Sequence, residues 1–401
     1  MKRLPKQRSK RLLVLMDKRN QTKKVLIAHQ STIPHYRVPF YNAIESKRPK
    51  DWRFDVVFDP SEIKLKQFFE EPVDVSQFKF PILEAKTLTM KLAGKRAIYQ
   101  TFWRRAASYD LIVVENVVHN LAYPLIHLHQ LWGRKIAYWG HGKDRSVLEP
   151  SLFKRTFELL KMILTHQADG FFAYTPGVKS FLANKGIEER KIFLLNNTID
   201  IEAQRTAFNR ELKNRMEIKR SFNLENKNTL LFVGRFTENK RIDFLLRAFS
   251  ELCKMNPNFH LLMVGSGGSN YPINQYENLT YFGPLTNLEK LAPLYVASDV
   301  FVFPGAVGLG PLQALCYDLP VITVESPIHG PEIEYLTAEN ALLLKNKTTE
   351  KEFAEAIYNL FLPDRCRIDS LRATTWPSIK HLTIEQMAEN FIKGTNAILT
   401  S

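Results

Sequence analysis

The chain has 401 residues, 45% hydrophobic and 24% charged, with a formal net charge of +15. At ~150 residues per domain that is two to three globular domains, not a disordered or fibrous chain. No apolar run approaches the ~20 residues that span a bilayer, Leu12–Met16 is too short for the roughly 7–15-residue core of a secretory leader, and Cys253, Cys316 and Cys366 suit neither a zinc site nor a disulfide framework. The expectation is a soluble or membrane-surface protein on the cytoplasmic side.

Residues 1–24 carry ten Lys/Arg against the single acid Asp17. Such a tail is either solvated or seated on an anionic membrane surface, where each base contributes about 1 kcal/mol. Nucleic acid is not an expected partner, because no recognition motif follows the tail.

Behind the tail, short apolar runs alternate with helical-length segments. In the first half they are Val25–His29, Phe54–Phe58, Leu111–Glu115, Lys135–Gly140, Gly170–Tyr174 and Lys191–Leu195. In the second half they are Thr229–Gly234, Phe259–Gly265, Leu279–Gly283, Asp299–Pro304, Leu319–Val324 and Ala341–Lys345. Runs of this length bounded by Gly and Pro suit strands buried on both faces, and the alternation implies parallel sheets. Two sets of six predict an α/β protein of two doubly wound, Rossmann-like domains, spanning 25–200 and 201–375. Lys91–Arg105, mixing bases and aromatics, reads as a helix. Ile384–Leu399 reads as an amphipathic helix within a C-terminal segment, 376–401, that packs back on the first domain.

Ligands of open α/β sheets bind beyond the carboxyl ends of strands, so strand ends carry the functional argument. Gly234 closes one strand, and Arg235 and Lys240 in the following loop can donate charge-assisted hydrogen bonds to phosphate oxygens. After another strand, Gly305, Gly308 and Gly310 precede Pro311 and a helix start, where backbone amides can meet an anion.

In order, Gly234-Arg235…Lys240, Val264-Gly265-Ser266-Gly267, Phe282-Gly283, Ala297-Ser298-Asp299-Val300, Pro304…Gly308-Leu309 and Leu319-Pro320-Val321-Ile322 resemble glycosyltransferase family 4 over residues 229–345. Asn197-Thr198-Ile199-Asp200 fits its interdomain segment. The first half resembles it more loosely, through His29–Arg37 and Trp139-Gly140-His141-Gly142. The resemblance implies the two-domain GT-B fold and transfer of a hexose-type sugar from a nucleotide-sugar to a glycan or lipid-linked acceptor, in cell-surface polysaccharide or lipopolysaccharide biosynthesis. It further implies retention at the anomeric carbon and no metal or other cofactor, and no Asp-x-Asp triplet is present to hold one.

Carried over by position, Arg235 and Lys240 hold the donor diphosphate and His141 contacts the transferred sugar. Gly234, Gly265, Phe282, Gly283, Gly308 and Leu309 line the donor, with Phe282-Gly283 near the base. His35, Tyr36 and Arg37 form a loop suited to the acceptor. The family commonly has two glutamates where this chain has Gly305 and Gln313. Either Glu332 covers part of their role, or the chain is a catalytically inactive GT-B protein that binds nucleotide-sugar.

Overall fold

The computed structural model describes residues 22–29, 33–60, 74–92, 95–143, 152–362 and 366–401. The basic tail through residue 21 and residues 30–32 of the first loop lie outside them, as does the side chain of Cys366. Cys253 and Cys316 are free thiols.

The first domain is built on β1 (Lys23–Ala28), β2 (Trp52–Phe58), β3 (Ile82–Glu84), β6 (Leu111–Glu115), β7 (Lys135–Gly140), β8 (Gly170–Ala173) and β9 (Ile192–Leu194). They form one parallel sheet in the order β3-β2-β1-β6-β7-β8-β9. The central strands are buried on both faces: Val25–Ala28, Leu111–Val114 and Ile136–Trp139 have almost no exposed surface. The sheet has one strand more than the sequence suggests. β3 is a three-residue edge strand with an exposed–half-buried–exposed pattern, too short to register as an apolar run.

The Lys91–Arg105 segment is a second departure. It contains the return strand of an antiparallel hairpin, β4 (Thr87–Leu92) with β5 (Lys95–Gln100), followed by the one-turn helix Trp103–Ala106. The apolar residues Leu88, Met90 and Leu92 alternate with polar ones, a period of two that a helix cannot use.

The second domain carries all six expected strands: β10 (Asn228–Val233), β11 (Phe259–Val264), β12 (Leu279–Tyr281), β13 (Val300–Val302), β14 (Val321–Val324) and β15 (Ala341–Leu344). Their order is β12-β11-β10-β13-β14-β15, all parallel. Each sheet therefore reverses strand order beside its first strand, and such switch points are where open α/β sheets bind ligands.

The chain passes between the two cores twice. Leu195 belongs to the first core, Ile199 and Ile201 to the second. Ile379 and Leu382 still pack in the second core, and Ile384, Met387 and Phe391 in the first. The helix Ile384–Thr400, capped by Thr383, lies on Val38–Lys47 and on β8 and β9. Among the described residues, no helix is long and apolar enough to cross a membrane.

Candidate functional site

A cleft of about 850 Å³ opens between the two switch points, within the range of small-molecule sites. From the second domain it is lined by Arg235, Asn239 and Lys240 after β10, and by Ala306–Leu309 after β13. Glu332, from the 3-10 turn Pro331–Tyr335, reaches it as well. From the first domain come Tyr36 and Arg37 after β1, Glu115–His119 after β6, and Gly140–Lys143 after β7.

Lys240 is half-buried. Its ammonium donates to the Ala306 carbonyl and lies 4.9 Å from the Phe303 ring centroid. Burial, with Arg235 adding repulsion and Glu332 opposing it, lowers its pKa to about 8. Arg235 is exposed at the mouth. Two cations thus converge on a loop whose backbone is accessible: a side-chain carbon added at Gly308 would touch nothing within 4 Å. The loop is pinned from behind by the buried His329, whose Nδ1 accepts from Val307 N–H at 3.0 Å while Nε2 donates to the Val324 carbonyl at 2.9 Å.

Gly305 does not face the cleft. A Cβ there would overlap the Asn239 carbonyl and the Lys240 backbone, and Ala306 N–H donates to that same Asn239 carbonyl at 2.8 Å. The residue lets the Gly loop and the cationic loop touch. Gln313 turns the other way, donating to Gln204 Oε1 at 3.1 Å on the helix Ile201–Leu212. Gly234, Gly265 and Gly283 knit neighbouring strand ends outside the cleft lining. Gly234 N–H donates to Val264 O at 2.9 Å, and Gly265 N–H to Gly283 O at 2.8 Å. A Cβ on Gly265 would overlap Gly234 O. Phe282 packs edge-on against Phe222 at 5.6 Å, also outside the lining.

Across the cleft, His141 is exposed and stands edge-on to Tyr174, with ring centroids 5.2 Å apart. Tyr36 lines the cleft and packs against the second core. His35 lies outside the lining, edge-on to Tyr36. Arg37 also lines the cleft but has almost no exposed surface. It is buried, donates to Asn197 Oδ1, and has its guanidinium 5.3–5.5 Å from the Tyr36, Trp139 and Tyr174 rings. Asn197 in turn donates to Glu332 Oε1 at 2.5 Å, and Tyr335 donates to the Asn197 carbonyl at 2.8 Å. Beside this join, Glu334 accepts from Thr175 Oγ1 and Gly177 N–H, both at 2.7 Å. Arg37 and Asn197 therefore fix Glu332 at the junction of the two domains.

Three further residues have no assigned role in the sequence reading. Glu115, at the end of β6, lines the cleft and accepts from His29 Nδ1 at 2.8 Å. His29 is buried, and its Nε2 takes the Tyr41 hydroxyl proton as a hydrogen bond. With both ring nitrogens engaged, the imidazole serves to orient the carboxylate. The signal was available: both Glu115 and His29 are polar residues directly following an apolar strand run. Among the described residues, no three His, Cys, Asp or Glu side chains cluster as a metal set.

Residues 227–362 match the family model "Glycosyl transferases group 1". An uncharacterized glycosyltransferase of Methanocaldococcus jannaschii is 22% identical over 351 residues, 79% of this chain and 86% of that protein. This chain is a glycosyltransferase. The transferase is also 23% identical over 239 residues to an uncharacterized protein in the cps region of Klebsiella pneumoniae, covering 54% of this chain and 64% of that one. Among solved structures, Anabaena HepE in complex with UDP superposes with a TM-score of 0.67 at 14% identity, over 93% of this chain and 99% of that one. The same Anabaena protein is also known in complex with UDP-glucose, at a TM-score of 0.62. The transferase shares that GT-B architecture.

Proposed function

We propose that the transferase moves a hexose-type sugar from a nucleotide-sugar, of the UDP class, to a glycan or lipid-linked glycan of a cell-surface polysaccharide or lipopolysaccharide. The observation that carries this reading is the convergence of Arg235 and Lys240 on the open backbone of Gly308-Leu309, facing His141 across one cleft. The UDP and UDP-glucose complexes of the Anabaena neighbour support the donor class, and the cps-region relative supports the pathway.

In this reading the diphosphate lies against Arg235, Lys240 and the 306–309 backbone. As the sugar–oxygen bond breaks, charge grows on the diphosphate, and the two cations stabilise it without a metal. His141 and Glu332 bracket the sugar, with Glu332 replacing the carboxylate that Gly305 cannot supply. The acceptor hydroxyl enters beside Glu115, attacks from the face the nucleotide leaves, and gives its proton to the departing phosphate, so configuration is retained. Gly234, Gly265, Phe282 and Gly283 shape the loops around the nucleotide rather than touching the diphosphate.

The test is a panel of UDP-, GDP-, ADP- and CMP-sugars, read by thermal shift with EDTA present, since a ligand of the folded state raises apparent stability. UDP-sugars shift the wild-type melt and leave Lys240→Ala unmoved. A shift that EDTA abolishes overturns the metal-free mechanism. A shift confined to another nucleotide overturns the donor class.

A further inference from the structure

The described residues include fifteen exposed large apolar side chains, and nine of them sit on three elements of the first domain. Leu88 and Met90 are on the hairpin. Leu125, Leu128, Leu131 and Trp132 are on the helical stretch Ala122–Trp132. Leu159, Leu160 and Ile163 are on the helix Leu152–Gln167. Leu131 is 78% exposed and Trp132 63%, and a cluster of such side chains on one region is what marks an interaction surface. In the second domain the exposed apolar residues, such as Met216 and Leu343, are scattered.

The three elements are tied together. Leu121 N–H donates to Ile98 O of the hairpin at 2.8 Å. Trp103 Nε1 donates to Leu125 O at 3.1 Å, and Gln130 Nε2 donates to Gln167 O, the last residue of the long helix, at 2.9 Å. Their charge is one-sided. Residues 86–143 hold nine Lys/Arg and only two acids, Asp110 and Glu115. Asp110 is paired with Arg134 at 3.3 Å and Glu115 faces the cleft. On the long helix, Glu158 is paired with Lys161 at 2.6 Å, while Arg155 is exposed. Arg104 and Arg105 are exposed beside the hairpin. These same elements also wall the cleft, through Ala97, Leu121, Phe157 and Lys161.

We propose that this face docks the enzyme on an anionic lipid bilayer and holds the acceptor side of the cleft at the headgroup level. Apolar side chains, a tryptophan and bases on one surface match the two layers they would meet, acyl chains and acidic headgroups. The face opens onto the cleft, so a lipid-linked acceptor reaches Glu115 without leaving the membrane. The inference rests on the proposed acceptor class, but it concerns a surface apart from the donor site.

The experiment is vesicle flotation of the full chain with phosphatidylcholine alone and with mixed phosphatidylcholine–phosphatidylglycerol vesicles, using wild type, a variant lacking residues 1–21, and the combined variant Leu131→Glu, Trp132→Glu, Leu159→Glu, Ile163→Glu. Wild type and the tail-less variant float with the mixed vesicles, and added salt weakens them. The fourfold variant loses at least tenfold in bound fraction with an unchanged melting temperature and unchanged donor binding. Flotation of the fourfold variant equal to wild type, or loss on removing the tail alone, overturns the proposal. So does a wild type that ignores mixed vesicles but forms a dimer that the fourfold variant abolishes, which makes the face a contact between copies. Turnover with a short-chain, water-soluble acceptor distinguishes the two readings. Its retention in the fourfold variant leaves the transferase reading intact whatever the vesicles show, and failure of every donor to bind sinks that reading without touching the flotation result.

Discussion

The two domains share a strand order but meet the cleft with different materials. The second offers two cations and a stretch of backbone, held by contacts among loops: Gly305 against residues 239–240, and Val307 on His329. The first offers side chains aimed from strand ends: Tyr36, Glu115 and His141. Backbone and fixed charge suit a group common to many donors, the diphosphate. Replaceable side chains suit what varies between enzymes, the sugar and its acceptor.

The largest effect expected from breaking this contrast is at the cations. Lys240→Ala should lower kcat/KM by ~10²–10³, the range for losing one preorganised group that stabilises transition-state charge, with the unfolding midpoint nearly unchanged. A comparable loss accompanied by a fall in the midpoint would mean that Lys240 serves the fold instead.

Next comes the contact between loops. Gly305→Ala forces a methyl against the Asn239 carbonyl, a crowding that typically costs about 1–3 kcal/mol. It should weaken donor binding in calorimetry while leaving Glu115 and the first domain untouched. Wild-type donor affinity in this variant would show that the two loops act independently.

A substitution in the first domain should separate the halves. Glu115→Gln keeps the shape but exchanges the carboxylate for an amide. Transfer to acceptor should fall about tenfold, roughly the value of one charge-assisted hydrogen bond, with donor Kd unchanged. His29→Ala should show a smaller fall of the same kind, because it only orients Glu115. A rise in donor Kd in either variant would place Glu115 on the donor instead.

The smallest effect is in pH. Burial holds the Lys240 pKa at about 8, below its ordinary value, so the free enzyme loses this charge as pH rises through about 8. The protonated form is the one a diphosphate prefers. Donor affinity should therefore be steady below that pH and fall above it, and Lys240→Arg should flatten the fall because a guanidinium stays charged. An unchanged alkaline limb in Lys240→Arg would assign the titration to another group.

The second sheet was legible because its central strands β10, β11, β13 and β14 are buried apolar runs, most of them closed by Gly or Pro. The first sheet hid β3 because three residues at an edge bury too little to leave a pattern. The hairpin was obscured by its own bases: Lys91, Lys95 and Arg96 drew attention from the alternation beside them. Arg235, Lys240 and Gly308 line the cleft as their places just past strands suggest, and His141, carried over from the family resemblance, lines it too. Which way Gly305 and Gln313 face could not, since both follow the same strand and only packing against residues 239–240 and Gln204 decides it. That Arg37 is buried could not be read from its loop, because two of the rings that enclose it, Trp139 and Tyr174, are distant in sequence.

The last helix changes how the molecule is made. A Cβ at Gly394 would overlap Phe172 and Phe193, and one at Gly170 would overlap Ile398, so the two segments close on each other through missing side chains. Domains of a nascent chain ordinarily fold in the order they are synthesised. Here the half made first waits for a helix made after the whole second domain, and the apolar surface that helix covers stays bare while that domain is synthesised. The second core has its full set of residues by Leu382; the first is finished only once the helix Ile384–Thr400 has been made. Loss of this helix would therefore damage the first domain while leaving the core of the second whole.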